Sequence, residues 1–344
     1  MTSSPEEVRS LTSNEIKLRR LQGQHLLQET DTQTVVKDLC GVQAQFLSHA
    51  LHSLSIRCNS VDISDLVKSW TNRGTMHLFS TDDLPLFLYQ DRPHSLRPQD
   101  TLGTDAYIDT RKKAYYAQVI LESIAAGLVD RESLKAVCES RGMTESESKS
   151  LFDPWGGLIR ALCEEGRIFH KVQEKKSYQL CPAFEPMAAQ EARLELARRY
   201  FTNFGPVTIK DAAYFFGWPQ RQVKELLQKL PVETFYAGSK DYFFIDQHSL
   251  ALEIPHCLFL AGFDQLMLGY EKTESPFLPH EHLRDIFTRS GIVRPALLID
   301  GNVTGFWNLK SRNLQITLFE KVAQTPICSA AENLWPDLSN IVIE

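Results

Sequence analysis

Residues 39–57 read LCGVQAQFLSHALHSLSIR, with two glutamines, Gln43 and Gln45, between two apolar runs. In a regular helix these two side chains point about 200° apart, whereas in an extended segment they point the same way. Gly41 before them and Ser48 after them indicate a break between two helices, with Ser48 near the N-cap of the second. Both amides then project into one space. The alternative is that the two amides cap helix ends or face solvent.

Short helices followed by a strand are predicted on either side of this stretch. The apolar spacing predicts helices from an N-cap at Asn14 through Leu26, from Asp31 or Thr32 through Val42, over Leu47–Ile56 and over Ile63–Trp70. Gly74–Phe79 reads as a β-strand after a turn. Several short helices followed by a strand are typical of a winged helix, which we assign to residues 1–108.

The same order recurs twice more, with a β-hairpin closing each repeat. In residues 109–185 the predicted helices are Tyr116–Leu128, Arg131–Ser140 and Leu158–Glu165, and the strands are Arg167–Val172 and Ser177–Leu180. In residues 186–254 a helix ends at Phe201, Thr208 caps Ile209–Phe216, Pro219 begins Gln220–Leu230, and the hairpin joins Phe235–Tyr236 to Tyr242–Ile245. We therefore expect second and third winged helices, too divergent from the first to appear as direct sequence repeats.

Residues 255–344 change character to short strands. These are Cys257–Leu260, Ala296–Asp300, Val303–Trp307 and Leu314–Phe319, with a hairpin turn at Asp300-Gly301-Asn302. A small antiparallel, barrel-like domain is expected. The predicted fold class is thus α+β, with three tandem winged helices followed by a C-terminal β-rich domain.

Four segments resemble the AlkZ/YcaQ-like DNA glycosylases, a superfamily of winged-helix proteins. The first is the Gln-Φ-Gln motif, present here as Gln43-Ala44-Gln45. The others are the blocks Arg73-Gly74-Thr75-Met76-His77-Leu78, Phe204-Gly205-Pro206-Val207-Thr208-Ile209-Lys210-Asp211 and Phe263-Asp264-Gln265-Leu266-Met267-Leu268-Gly269-Tyr270. Glutamine rather than aspartate at position 45 indicates the AlkZ-like branch, which resists alkylating and crosslinking natural products. Phe306 before Trp307, where the family usually has threonine, is a minor departure.

The resemblance implies site residues for this chain. Gln43 and Gln45 are the implied catalytic pair. The residues implied to contact substrate or DNA are Arg73, Thr75, His77 and Asp264, and the basic run Arg111, Lys112 and Lys113 is a candidate for phosphate contact. His77 has the alternative of a hydrogen bond within the core. Trp307 is likewise either a core residue or a platform on which a base stacks.

The chemistry of a glutamine pair restricts the substrate. A glutamine amide does not usefully accept a proton near neutral pH, so it is no general base. It orients a water molecule and presents a carbonyl dipole to the oxocarbenium-like sugar of the transition state. Because N7-alkylation already makes a purine a cationic leaving group, this modest assistance suits such a lesion. The expected substrate is double-stranded DNA carrying alkylated guanine or adenine, including interstrand crosslinks, cleaved by a monomer without metal or cofactor.

Composition is consistent with a globular protein that binds DNA through local charge. The 344 residues are 43% hydrophobic and 23% charged, enough for two to four small domains. No apolar run approaches the ~18 residues of a membrane span, and Met1–Glu7 is polar, so no membrane association and a cytoplasmic location are expected. The net charge is −6, so phosphate binding needs local basic runs. The candidates are Lys17, Arg19 and Arg20; Arg111, Lys112 and Lys113; Lys171, Lys175 and Lys176; and Arg193, Arg198 and Arg199.

Other site types find little support in the sequence. The seven cysteines are scattered without a Cys-x-x-Cys pair, which argues against a disulfide framework or zinc ribbon. His49 with His52, and His280 with His282, lack companion ligands at a recognisable spacing, which favours ordinary surface or core histidines over a metal site. No phosphate-binding or dinucleotide-binding glycine motif is present.

Two other functions remain open from sequence. A non-catalytic winged-helix DNA-binding regulator fits the fold equally well, although it has no use for a glutamine pair. A protein-interaction module is compatible with the negative net charge.

Overall fold

The chain folds into a mixture of helices and strands, as the α+β prediction requires. The computed structural model describes residues 10–71, 73–92, 108, 110–153, 157–246 and 253–344. The α-helices there are α1 (Ser13–Gly23), α2 (Thr32–Asp38), α3 (Leu47–Ser55), α4 (Leu84–Phe87), α5 (Thr110–Ala125), α6 (Arg131–Ser140), α7 (Glu145–Leu151), α8 (Gly157–Glu164), α9 (Ala189–Asn203), α10 (Ile209–Phe216), α11 (Gln220–Leu227), α12 (Gln265–Leu268), α13 (Leu283–Ile286) and α14 (Gln324–Leu334).

The strands are short and fall in the same parts of the chain. They are β1 (Val42–Gln43), β2 (Leu66–Trp70), β3 (Met76–Ser80), β4 (Ile168–His170), β5 (Tyr178–Leu180), β6 (Glu233–Ala237), β7 (Lys240–Phe244), β8 (Cys257–Phe259), β9 (Ala296–Ile299), β10 (Asn302–Lys310), β11 (Asn313–Leu318) and β12 (Asn340–Ile343). The chain divides into two compact units, Ile63–Arg193 and the remainder, Met1–Asp62 with Leu194–Glu344. The four domain boundaries read from the sequence stay predictions.

In the unit Ile63–Arg193, strands follow the order β3, β2, β4, β5, each antiparallel to the next. Its core joins α5, α6 and α8 to the sheet through buried side chains that include Ile120, Leu134, Leu162 and Tyr178. The predicted helix Arg131–Ser140 is confirmed, with the Asp130 carboxylate accepting from the Ser133 N–H at its start. The helix α7, which the sequence reading omitted, begins with a capping box between Thr144 and Glu147.

One prediction for this unit is wrong: Ile63–Trp70 is not a helix. Its apolar positions have helical spacing, but Leu66–Trp70 is strand β2, with Val67 opposite Phe79 and Lys68 opposite both Leu78 and His170. A β-branched and an aromatic residue suit a strand, and pairing on both sides overrides the local pattern. The segment is therefore the inner strand between β3 and β4.

The other unit begins with α1, packed on the hairpin formed by β6 and β7. Leu11 and Ile16 share a buried cluster with Phe235 and Phe244. The N-cap of α1 is Thr12, in a capping box with Glu15, and not Asn14 as predicted. The helix ends at Gly23 because His25 adopts a left-handed backbone with φ of 58°. Further along, the Thr208 cap of α10 and its end at Gly217 are confirmed.

The C-terminal part of this unit is a sheet in the order β12-β11-β10-β9-β8. The prediction of a small antiparallel barrel is wrong in two respects. Among the described residues the sheet does not close, and β12 runs parallel to β11, with Leu314 opposite Ile341. Helix α14, which the sequence reading missed, covers one face and buries Ile327 and Ala331 against the strands. Helix α14, rather than closure of the sheet on itself, buries that apolar face of the strands.

Candidate active site around Gln43 and Gln45

The two glutamines lie in an extended segment between two helices, as the sequence predicts. Helix α2 ends at Asp38, the chain turns through Cys40 and Gly41 with φ of 52° and 81°, and strand β1 carries Gln43. Helix α3 follows at Leu47. Gln43 is 7% exposed, Gln45 is exposed, and within the described chain neither side-chain amide has a hydrogen-bond partner. The N-cap of α3 lies close to Ser48, at Phe46, whose side chain makes no capping bond.

The residue Gln265 fixes the chain just before the glutamine pair. It is fully buried at the first position of α12, and its Nε2 donates a hydrogen bond of 3.1 Å to the Gly41 carbonyl oxygen. Satisfying a buried carbonyl in this way holds the turn in one position, because losing the partner leaves an unpaired polar group inside the protein. The sequence indicated this block but gave Gln265 no role.

The neighbouring Asp264 fixes the chain just after the pair, through Arg57. The two side chains are completely buried and meet in a bidentate ion pair, with Nη1 to Oδ2 at 2.9 Å and Nη2 to Oδ1 at 2.8 Å. The Ser53 hydroxyl of α3 and the Leu266 N–H complete the donors to the carboxylate. Asp264 therefore lies in the core and acts on α3, the helix that follows Gln45, rather than facing solvent.

The ionisation of Asp264 follows from these contacts. Burial by itself would raise the pKa of its carboxyl group. The Arg57 guanidinium and the donors from Arg57, Leu266 and Ser53 outweigh burial and hold the pKa below the ordinary value of 3.8. The ion pair is accordingly present at neutral pH.

An aromatic group lies directly beside the pair. Phe46 stacks on Phe263 with ring centroids 5.7 Å apart and planes 29° apart, and His49 meets Phe46 edge-on at 5.9 Å. A Cβ on Gly262 would stand 2.9 Å from His49 Nε2, so glycine allows the backbone to lie close against that ring. Burial lowers the pKa of His49, so its ring is neutral at pH 7.

In the unit Ile63–Arg193, Arg73, Thr75 and His77 form one hydrogen-bonded group. His77 on β3 is fully buried; its Nδ1 lies 3.0 Å from the Thr75 carbonyl oxygen and its Nε2 lies 3.1 Å from Arg73 Nη1. Burial first, and Arg73 second, lower the pKa of His77 well below its ordinary 6.5, against the opposing effect of the Thr75 carbonyl. The ring is neutral with both nitrogens engaged, which supports the core alternative left open for His77.

The four basic runs differ in how far they are committed to internal contacts. Two are engaged within the protein: Lys17 with Asn302, Arg19 with Asp246, Arg20 with Pro206 and Asp211, Arg193 with Tyr89, and Arg198 and Arg199 with Glu195. The other two lie at the surface of the unit Ile63–Arg193. Arg111, Lys112 and Lys113 occupy the first turn of α5, where Lys112 pairs with Glu147, and Lys175 and Lys176 are exposed in the turn between β4 and β5.

The other residues singled out from the sequence make contacts inside the protein. The Trp307 side chain is 5% exposed and its indole N–H donates to the Leu260 carbonyl, which is the core alternative. A ring nitrogen of His52 bonds the Phe259 carbonyl oxygen at 2.8 Å. In the described part of the chain, no group of three or more His, Cys, Asp or Glu side chains is arranged to hold a metal ion. None of the helices described there has the length and apolar character to cross a membrane.

Comparison with known proteins identifies the family. A family model described as DNA glycosylase AlkZ-like matches residues 36–334, which is most of the chain. The chain belongs to the AlkZ-like DNA glycosylase family. It is therefore a DNA glycosylase, a hydrolase of N-glycosyl bonds, and the resemblance seen in its motifs is confirmed.

Individual relatives agree with this membership. An interstrand DNA cross-link repair glycosylase of Streptomyces sahachiroi is 24% identical over 342 residues, spanning 90% of this chain and 91% of that protein. The solved structure of the Streptomyces sahachiroi DNA glycosylase AlkZ is similar in fold, with a TM-score of 0.79 and 22% identity. That similarity covers 98% of this chain and 100% of the solved one.

The buried Asp264–Arg57 pair is expected to stabilise the unit that carries the glutamines. Asp264→Asn leaves the Arg57 charge buried without its partner, so we expect the free energy of unfolding to fall by about 3–5 kcal/mol. Urea denaturation measures this change. Glu145→Gln, which removes an exposed pair with Lys149, is the control and leaves the midpoint unchanged. An Asp264→Asn variant as stable as the wild type contradicts the anchoring role.

The difference in unfolding free energy between wild type and Asp264→Asn is expected to change with pH in a definite direction. Because the folded pKa of Asp264 lies below 3.8, its stabilisation is fully present above that pH and is lost as the pH falls through the folded pKa. The stability gap between wild type and Asp264→Asn therefore shrinks only below pH 3.8. A gap that closes between neutral pH and pH 5 would be inconsistent with this pair.

Proposed function

We propose that this chain is a monofunctional DNA glycosylase that hydrolyses the N-glycosidic bond of N7-alkylated, cationic purines in duplex DNA, including those in interstrand crosslinks. The observation that carries the proposal is the Gln43-Ala44-Gln45 segment, extended between α2 and α3 and held on both sides by buried contacts from Gln265 and Asp264. The cross-link repair relative supports the extension to crosslinks.

We assign the two amides different tasks. Gln45 is exposed, and we propose that it orients the attacking water and directs its carbonyl dipole at the cationic sugar. Gln43 is mostly buried in β1, and we propose that it assists Gln45 from a position deeper in the protein. Positioning of this kind contributes on the order of 7 kcal/mol in favourable cases, provided that the groups are held still.

The proposed substrate supplies the positive charge on the leaving group that the glutamine amides cannot provide. A neutral amide neither removes a proton from water nor protonates a departing base. A purine alkylated at N7 already carries the positive charge that a proton donor would otherwise supply. The purine departs as a neutral base, water adds to the cationic sugar, and the proton released from that water passes to bulk solvent, so the reaction balances without an acid, a metal or a cofactor.

We further propose that phosphate contacts come from the exposed basic runs. Arg111 and Lys113 in the first turn of α5, together with Lys175 and Lys176, supply positive charge despite the net charge of −6. These groups hold the duplex without reading its sequence, which leaves the chemistry to the glutamine segment.

Replacing Gln45 tests the catalytic assignment. Gln45→Ala is expected to abolish most release of N7-methylguanine from a duplex, because the water loses its orientation, while DNA affinity stays nearly unchanged. Gln43→Ala acts in the same direction but less strongly. Single-turnover release of free base, in the presence of EDTA, measures the rate, and gel shift measures the affinity.

Gln45→Glu and a stability measurement serve as controls. A carboxylate of similar shape still orients water, so retained excision in Gln45→Glu supports the water-holding role. Thermal unfolding shows whether Gln45→Ala is folded. A folded Gln45→Ala variant that excises at the wild-type rate rejects the catalytic assignment.

The phosphate contacts predict a steep salt dependence of DNA binding. The logarithm of the affinity is expected to fall linearly with the logarithm of salt concentration, and Arg111→Ala is expected to reduce that slope by about 0.9 per contact removed. Arg198→Ala is the matched control, because Arg198 is a helical arginine already paired with Glu195. Fluorescence anisotropy across a salt series measures both. If Arg111→Ala and wild type show the same slope of affinity against salt concentration, Arg111 makes no phosphate contact.

A further inference from the structure

Phe46 is an unusual residue for its position. It is the N-cap of α3, where Ser, Thr, Asp and Asn are favoured because their side chains bond the first free N–H groups. Its side chain makes no such bond, and it is 45% exposed, although a large aromatic side chain is normally buried. The residue that immediately follows Gln45 therefore neither caps the helix nor is buried.

The ring is nevertheless held in place. Phe263 covers one face of it in a stacked contact, and His49 meets it edge-on. Phe263 is itself buried, adopts a left-handed backbone with φ of 59°, and directly precedes Asp264 of the buried ion pair. Single exposed apolar residues are ordinary on protein surfaces, but an exposed ring backed by a buried ring beside a catalytic segment is a built surface.

We propose that Phe46 is the stacking platform for the purine whose glycosidic bond is cleaved. The inference rests on the proposed function, and it identifies the residue that binds the base. Gln45 and Phe46 are consecutive and both exposed, with Cα atoms about 3.8 Å apart, and the extended backbone at Phe46 directs their side chains to opposite sides of one short segment. A purine is bonded directly to the sugar on which Gln45 acts, so base and sugar need two such neighbouring contacts.

The chemistry of the ring suits a cationic purine. Any base stacks on an aromatic face, and a positively charged ring gains additional attraction from the negative face of the phenyl group. The neighbouring His49 is neutral at pH 7, since burial lowers its pKa, and so it does not repel the cation. Phe46 therefore favours alkylated purines over their neutral parents.

The test separates contact with the base from contact with the rest of the DNA. Two duplexes are compared: one carries N7-methylguanine on a 2′-fluorinated sugar that resists cleavage, and the other carries a tetrahydrofuran abasic analogue at the same position. Phe46→Leu is expected to weaken binding to the first duplex about tenfold and to leave binding to the second unchanged. Phe46→Trp restores or strengthens binding to the first. Fluorescence anisotropy at fixed salt measures both affinities.

The control variant is Phe319→Leu, which removes a partly exposed ring stacked on His282 with centroids 3.9 Å apart. It is expected to alter neither affinity. Equal weakening of both duplexes by Phe46→Leu overturns the proposal and makes Phe46 a wedge that fills the space left by the base. If Phe46→Leu does not fold, Phe46→Trp decides: a changed affinity for the lesion duplex alone supports stacking, and an unchanged affinity overturns it.

The outcome is distinguishable from failure of the proposed function. Wild-type protein that releases no N7-methylguanine from an ordinary, cleavable duplex rejects the proposed reaction, whatever the binding data are. The platform is judged only by the difference between the two uncleavable duplexes.

Discussion

The buried ion pair between Arg57 and Asp264 is the contact on which the geometry of the glutamine segment depends. Its bidentate form fixes direction as well as distance, which a hydrophobic contact does not. The same guanidinium donates to the Gln24 carbonyl just after α1 and to the Ser53 carbonyl in α3. One side chain thus ties three segments together. Because two buried charges are costly to desolvate, we attribute their presence to positioning rather than to stability alone.

A second set of buried contacts joins the other motif blocks. The Tyr270 hydroxyl donates to the Phe204 carbonyl and accepts from Gln24 Nε2, which links the two blocks to the end of α1. Arg20 lies over the Tyr270 ring at 3.8 Å and donates to the Pro206 carbonyl. Residues that resemble a family motif are thus mostly internal supports here. Gln45 is the exposed residue of the Gln-Φ-Gln motif, and the exposed Phe46 follows it directly; these are also the two residues to which we assign contact with the substrate.

Much of the fold and some of the site could be predicted from local signals. Two features follow from a few adjacent residues and are predicted correctly. One is helix α10, with its cap at Thr208 and its end at Gly217, and the other is the extended segment between Gly41 and Leu47. Strand β2 is not predicted correctly, because its helical spacing is overridden by pairing with β3, the next strand along the chain, and with β4, which lies far away in sequence. The parallel pairing of β12, and the contact from Gln265 to Gly41 across 224 positions, leave no local pattern at all. Asp264 was recognised as important, but only its partners reveal that it acts through Arg57.

The proposed reaction takes no proton from the protein for the departing base. Asp264 and His77 are engaged internally, and the glutamine amides do not titrate, so in the proposed reaction the positive charge comes with the substrate. The most direct measurement is single-turnover release of base from two otherwise identical duplexes, one with N7-methylguanine and one with the uncharged base hypoxanthine. We expect release of N7-methylguanine, and no release of hypoxanthine above the uncatalysed rate. Comparable release of hypoxanthine would contradict this expectation, because the protein would then have to supply the proton itself.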